Sequence, residues 1–307
     1  MPPWMLKAAV QGVTSLLPNA ERWSQLLQRY VTGSLKLDEA TAKTKADRCT
    51  KHLAHHAEAA GAARAVSELA VMELGTGWFP VAPVALALAG ARQVFTVDNT
   101  SHLTPENVRR TLEVFAGLVD RGALAAPRAD RMARLRGLCA EPRPAPVSEV
   151  MRALDVTALV TDARRMQLDA GTVDLFLSNN TLEHIPGPII EGIFREFYRV
   201  GRADAVMSHW IDMGDHYANF DRSIGVYNFL KYPRPVWRLF NNDLQYQNRL
   251  RVPDFRDLHA AAGWRIVRED NVAGAPDDLR RIRVAREFRR YREEDLLVYE
   301  TWMVARR

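Results

Sequence analysis

Residues 71–98, VMELGTGWFPVAPVALALAGARQVFTVD, constrain this chain more than any other stretch. A short apolar run ends in an acid, Glu73, and a tight Gly75-Thr76-Gly77 turn follows. An apolar helical stretch then runs from Val81 to Ala89 and is closed by Gly90. A second strand-like run, Gln93 to Val97, ends in Asp98. Strand, glycine turn, helix, strand and acid make one βαβ unit with a ligand cradle at its first turn. Glycines there let a ligand approach the backbone closely and adopt dihedrals closed to other residues. Asp98 follows Gly77 by 21 residues, a spacing that suits a carboxylate gripping ribose hydroxyls at the tip of the second strand.

The turn also narrows the ligand. A dinucleotide fingerprint places a third glycine where this chain has Pro80, and the Gly-Lys-Ser/Thr of a phosphate loop is missing. Glu73 beside the glycines would repel a pyrophosphate and suits a ligand carrying positive charge or ribose and amine donors. Glu73-Leu74-Gly75-Thr76-Gly77 followed by Asp98 resembles motifs I and II of the class I S-adenosylmethionine (SAM) dependent methyltransferases. The resemblance implies SAM as cofactor, with Glu73, Gly75, Thr76, Gly77 and Asp98 around it.

The same resemblance resumes further on. Ala158 to Thr161 reads as a third strand ending at Asp162-Ala163, similar to the family element that meets adenine. Val173 to Leu177 reads as a fourth, and the segment after it, Asn179-Asn180-Thr181-Leu182-Glu183-His184-Ile185, resembles small-molecule methyltransferases of the ubiquinone-biosynthesis-like group. That implies Asn179 at the cofactor and His184 either packed or near the transferred methyl. The Asn/Asp-Pro-Pro-aromatic of nucleic-acid base methyltransferases is not there. Ala203 to Met207 is the expected fifth strand, and Trp264 to Val267 with Leu296 to Val304 the antiparallel sixth and seventh.

Other segments depart from the family pattern. Residues 1–70 read as an N-terminal helical cap, with Leu26, Leu27, Tyr30 and Val31 in one candidate helix and Thr41 to Ala60 a longer basic one. His52 and His56 stand four apart on the latter, but without a third ligand nearby a solvated face is the expectation. By the resemblance, one of its basic residues meets the methionine carboxylate. Residues 71–307 form the SAM-binding α/β domain, interrupted by insertions at about 108–154 and 211–253. The first is helical and is expected to cover the pocket edge or make a homodimer contact.

The second insertion reads as the specificity element. Between Trp210 and Tyr246 lie nine of the 26 aromatic residues of the chain, past a strand end where α/β folds bind ligands. Tyr217, Tyr227, Asn228, Trp237 and Tyr246 are the candidate substrate-binding residues, with a satellite hydrophobic core as the alternative use of the rings. His216 is the candidate general base, since imidazole titrates near neutrality, and Asp221 would orient it. No Gly-x-Ser-x-Gly is present, and the carboxylates do not form a clear metal-ligand set, so no metal is expected.

Composition excludes more than it identifies. The formal net charge of +5 is carried by scattered arginines, so nucleic-acid binding is not inferred. Seven arginines between Arg280 and Arg292 fit a solvated face or an acidic contact. Two cysteines, Cys49 and Cys139, point to a reducing cytoplasm, and no apolar run of membrane-spanning length or signal peptide is evident. The expected fold is an α/β, Rossmann-like class I methyltransferase sheet of about seven strands. The expected function is methyl transfer from SAM to a small-molecule oxygen or nitrogen. The alternatives are a SAM-consuming cyclase such as an azetidine-2-carboxylate synthase, releasing methylthioadenosine, and a noncatalytic SAM-binding protein.

Overall fold

The computed structural model describes residues 3–15, 37–61, 64–124, 127–242 and 246–307. The candidate helix around Leu26, Leu27, Tyr30 and Val31 lies outside them. A seven-stranded sheet runs through the molecule: β1 (Ala70–Leu74), β2 (Gln93–Asp98), β3 (Val156–Val160), β4 (Val173–Asn179), β5 (Gly201–Asp212), β6 (Arg265–Ala273) and β7 (Val298–Arg306). Their order is β3-β2-β1-β4-β5-β7-β6. β1 to β5 are mutually parallel, and β7 is antiparallel to both β5 and β6. The chain winds outward from β1 to β3, then returns to lay β4 on the other side of β1. The C-terminal ends of β1 and β4 thus form the switch point where α/β sheets bind ligands.

Helices cover both faces. On one lie α1 (Pro3–Ser15)-independent elements α2 (Glu39–Ala59), α3 (Val81–Leu88) and α4 (Pro105–Asp120), with α5 (Ala129–Ala140) and α6 (Val147–Ala153) beyond. α3 is buried along its whole length, which explains a sequence with no polar residue at all. On the other face α7 (Gly187–Val200) and α8 (Val252–Ala261) bury Ile193, Phe194, Phe197 and Phe255 against β4, β5 and β7.

One expectation is corrected here. α2 is not a solvated face: His52, His55 and His56 are buried. His52 and His55 both bond Ser208 Oγ on β5, at 2.8 and 3.0 Å, and both rings contact Trp302 on β7. Burial holds all three imidazoles neutral, His52 down to about 3. Polar residues spaced along a helix disguise a buried face when the sheet offers them hydroxyl and amide partners. Of residues 108–154, Val147, Ser148, Met151 and Arg152 line a second cavity that shares Thr76, Asp98 and His102 with the one at the glycine turn. Val108, Leu112, Phe115 and Leu118 pack with Val84 and Leu86, filling the crossover from β2 to β3.

Candidate active site

The glycine turn after β1 opens the main cavity. Gly75 has φ +89° and Gly77 φ +65°, conformations that favour glycine. A Cβ on Gly75 would stand 2.6 Å from Thr181 Oγ1, whereas one on Gly77 would meet nothing within 4 Å. The turn is therefore packed on one side and open on the other. Glu73, buried, accepts from Thr96 Oγ1 at 2.9 Å, and Thr76 Oγ1 lies 2.6 Å from the same hydroxyl. Burial raises the Glu73 carboxyl, a state that a bound cation would reverse. Asp98, at the tip of β2, accepts from Gly77 N at 3.1 Å and from Thr100 N at 3.3 Å.

These residues line one cavity of about 850 Å³ together with Asp162, Ala163, Asn179, His184 and Ile189. Every residue expected at the cofactor (Glu73, Gly75, Thr76, Gly77, Asp98, Asp162, Ala163 and Asn179) reaches it, because each stands at the C-terminal end of a parallel strand or just past it. Asp162 is clasped by Arg164, whose side chain and backbone N–H hold its carboxyl down at about 2. Asn179 accepts from His52 Nε2 at 3.3 Å while its own Nδ2 is buried without a partner. α2 adds Thr41 and Lys45 to the lining, placing an ammonium group on the same cavity as Glu73.

Beyond the cavity the strand ends carry further charge. Asn180 takes a positive φ of 51° and accepts from Arg48 at 3.2 Å. The Arg48 guanidinium lies 3.3 Å over the Trp210 ring. Buried Glu183 has its carboxyl pushed up to about 8 by desolvation. His184 bonds the Tyr246 carbonyl at 2.8 Å, and its ring meets that of His216 edge to face.

The structure separates the remaining expected residues from this site. Tyr217, Tyr227 and Trp237 do not line the cavity. They pack with Trp4 of α1, Phe229 and Phe288 in a satellite core. The Tyr217 hydroxyl donates to the Phe240 carbonyl at 2.9 Å and that of Tyr227 to the Leu297 carbonyl at 2.5 Å. Asn228 is buried and donates to Asp215 at 2.9 Å. Asp221 does not orient His216: it accepts from Ser223 Oγ at 2.6 Å and from Trp4 N at 3.3 Å. The carboxylate beside His216 is Asp212, 3.4 Å away. The basic helix reaches the cavity through Lys45, one of the residues expected to, while Arg48 and Trp210 stack on each other behind it, a pairing sequence reasoning missed. Its only signal was a basic run on α2 and an aromatic at a strand end.

The strand order is that of the class I methyltransferase fold. Residues 121–208, which run from before β3 into β5 and begin past the glycine turn, match the family described as "Methyltransferase domain". Among solved structures the chain is similar to a SAM-dependent methyltransferase from Mesorhizobium loti, with 13% identity, 84% of this chain and 96% of that one covered, and a TM-score of 0.45. It is also similar to the 1,6-didemethyltoxoflavin-N1-methyltransferase of Burkholderia thailandensis bound to 1,6-didemethyltoxoflavin and S-adenosylhomocysteine. There identity is 14%, coverage 100% of this chain and 91% of that one, and the TM-score 0.46. No curated protein sequence matches the chain. No helix among the described residues is long and apolar enough to cross a membrane.

Proposed function

We propose that this enzyme transfers the methyl group of SAM to an oxygen or nitrogen of a small molecule. The observation that carries this reading is the single cavity joining the glycine turn and Asp98 to Asn179, His184 and Ile189. Its first half fits the cofactor: open backbone at Gly77, a carboxylate at Asp98 for ribose hydroxyls, Asp162-Ala163 beside the adenine. Glu73 faces the ammonium and Lys45 the carboxylate of the methionine arm. SAM supplies an electrophilic methyl carbon on a sulfonium sulfur. The chain contributes position: strand ends hold the cofactor rigidly, and buried walls keep water from competing with the acceptor. Behind the lining residue Asn180, Arg48 and Trp210 back the end of the cavity near His184, where an acceptor would enter.

Incubating the pure protein with SAM alone, and identifying the nucleoside by mass spectrometry, tests the reading. The expected result is no turnover until an acceptor is supplied, and then S-adenosylhomocysteine. Methylthioadenosine above the spontaneous background would overturn it in favour of cyclisation of the aminobutyryl arm.

A further inference from the structure

Where β4 and β5 end, four side chains from separate segments converge. Glu183 and His184 follow β4, Asp212 is the last residue of β5, and His216 lies four residues on. Ligand-capable atoms of Glu183, His184 and His216 all lie within 4.8 Å of one another. Asp212 Oδ2 stands 3.4 Å from His216 Nε2. Glu183 is only 1% exposed, yet neither of its carboxylate oxygens has a hydrogen-bond partner. Among the described residues no salt bridge reaches it. Buried there, the group stays neutral with only the Asn180 side chain and the backbone of Glu183 and Asp212 facing it, and a cation would displace its proton.

The neighbours are prepared in the same sense. A carbonyl can only accept, so the bond to Tyr246 O puts the proton of His184 on Nδ1 and leaves the Nε2 lone pair free. An outer hydrogen bond of this kind is how proteins fix a metal-ligating imidazole. His216 Nε2 is buried without a hydrogen-bond partner. Asp212 spends Oδ1 on Gly214 N at 2.8 Å and keeps Oδ2 toward His216.

We propose that Glu183, His184 and His216 bind a divalent transition-metal cation, with Asp212 able to complete the set. Two imidazoles with carboxylates suit Mn²⁺, Fe²⁺ or Zn²⁺ better than Mg²⁺ or Ca²⁺, which take oxygen ligands. Ligands bound at about 2.0–2.2 Å lie roughly 3–4 Å apart, so the cluster needs only a small contraction. Because His184 also lines the cofactor cavity, the ion stands at its acceptor end, with a coordination position for an acceptor hydroxyl or carboxylate. That last step rests on the methyl-transfer reading; the binding of the metal does not.

The full-length protein, freed of metal with EDTA, is titrated with Mn²⁺ followed by electron paramagnetic resonance and with Zn²⁺ by calorimetry. One site is expected, weakened on the order of 100-fold in both Glu183→Gln and His216→Asn. Mn²⁺ should raise the Tm of the wild-type protein and not that of Glu183→Gln. Metal-free Glu183→Gln should be about as stable as wild type, since an amide replaces a buried neutral carboxyl of similar shape; this separates lost binding from lost folding. Mn²⁺ affinity unchanged in both variants, or no uptake at all, overturns the proposal. S-adenosylhomocysteine is titrated into the same samples: its binding without Mn²⁺ uptake sinks the metal site alone, and Mn²⁺ uptake without its binding sinks the cofactor reading alone.

Discussion

Replacing Gly75 by alanine probes the glycine turn where the structure leaves no room. At φ +89° an L side chain is strained, which costs about 1–2 kcal/mol. The new Cβ would also stand 2.6 Å from Thr181 Oγ1 and 2.7 Å from Cγ2, and such overpacking costs about 1–3 kcal/mol more. The expected loss is therefore about 2–5 kcal/mol. Gly77→Ala is the control. Its φ of +65° carries the same backbone cost, but its Cβ meets nothing within 4 Å, so about 1–2 kcal/mol is expected. Thr181→Ala removes the two closest atoms and leaves a single Cβ contact at 3.2 Å. In the double variant Gly75→Ala with Thr181→Ala, a coupling of about 1–3 kcal/mol should return. Urea unfolding of the four proteins, with calorimetric titration of S-adenosylhomocysteine alongside, makes the comparison. Gly77→Ala should lose ligand affinity out of proportion to its stability, because its methyl fills the open side of the cradle. Equal destabilisation of the two glycine variants, or no coupling with Thr181, would refute the packing described for this turn.

Three further outcomes are expected. Asp98→Ala should weaken S-adenosylhomocysteine by about 10- to 150-fold, the worth of about 1.5–3 kcal/mol for hydrogen bonds to a charged acceptor, and unchanged calorimetric affinity would remove Asp98 from the site. Tyr227→Phe should cost about 0.5–1.5 kcal/mol in thermal unfolding: the hydroxyl's bonds to the Leu297 carbonyl and Gly274 N–H are lost, but those two groups keep their own bond at 3.1 Å. Its ligand affinity should stay unchanged, and a selective loss of binding would return Tyr227 to the substrate site. Burial lowers His52 to about 3, while the unfolded chain protonates near 6.5, so between those limits this ring opposes folding, by about 2 kcal/mol at pH 5. Glu73 and Glu183, raised by burial to about 8, act in the opposite sense over the same range, so the histidine is read by difference. His52→Gln should lose less stability than wild type between pH 7.5 and 5; an identical pH dependence of the two urea midpoints would contradict the neutral burial of the ring.

The lining of the cavity at the glycine turn was legible in the sequence because its chemistry is local. A glycine turn that needs positive φ, an acid closing each apolar run, and helix spacing between strands are all written in consecutive residues. Parallel pairing then carries those strand ends to one edge, so Glu73, Asp98, Asp162 and Asn179 meet without further specification. The cluster at the ends of β4 and β5 was not legible. Glu183, Asp212 and His216 become neighbours only because β4 and β5 pair in register, bringing Asn179 opposite Trp210. Aromatic density in the second insertion could not say whether rings face a ligand or one another. The answer lay in Trp4, more than 200 residues earlier, which closes a satellite core over Tyr217 and Phe240. Helix α2 shows the same division: its charges and imidazoles read as a wet surface, and only the hydroxyl of Ser208 and the ring of Trp302 on the sheet beneath turn them inward. Local backbone preference acts over a few residues, whereas the burial of a polar side chain is decided by the partner it finds across the fold.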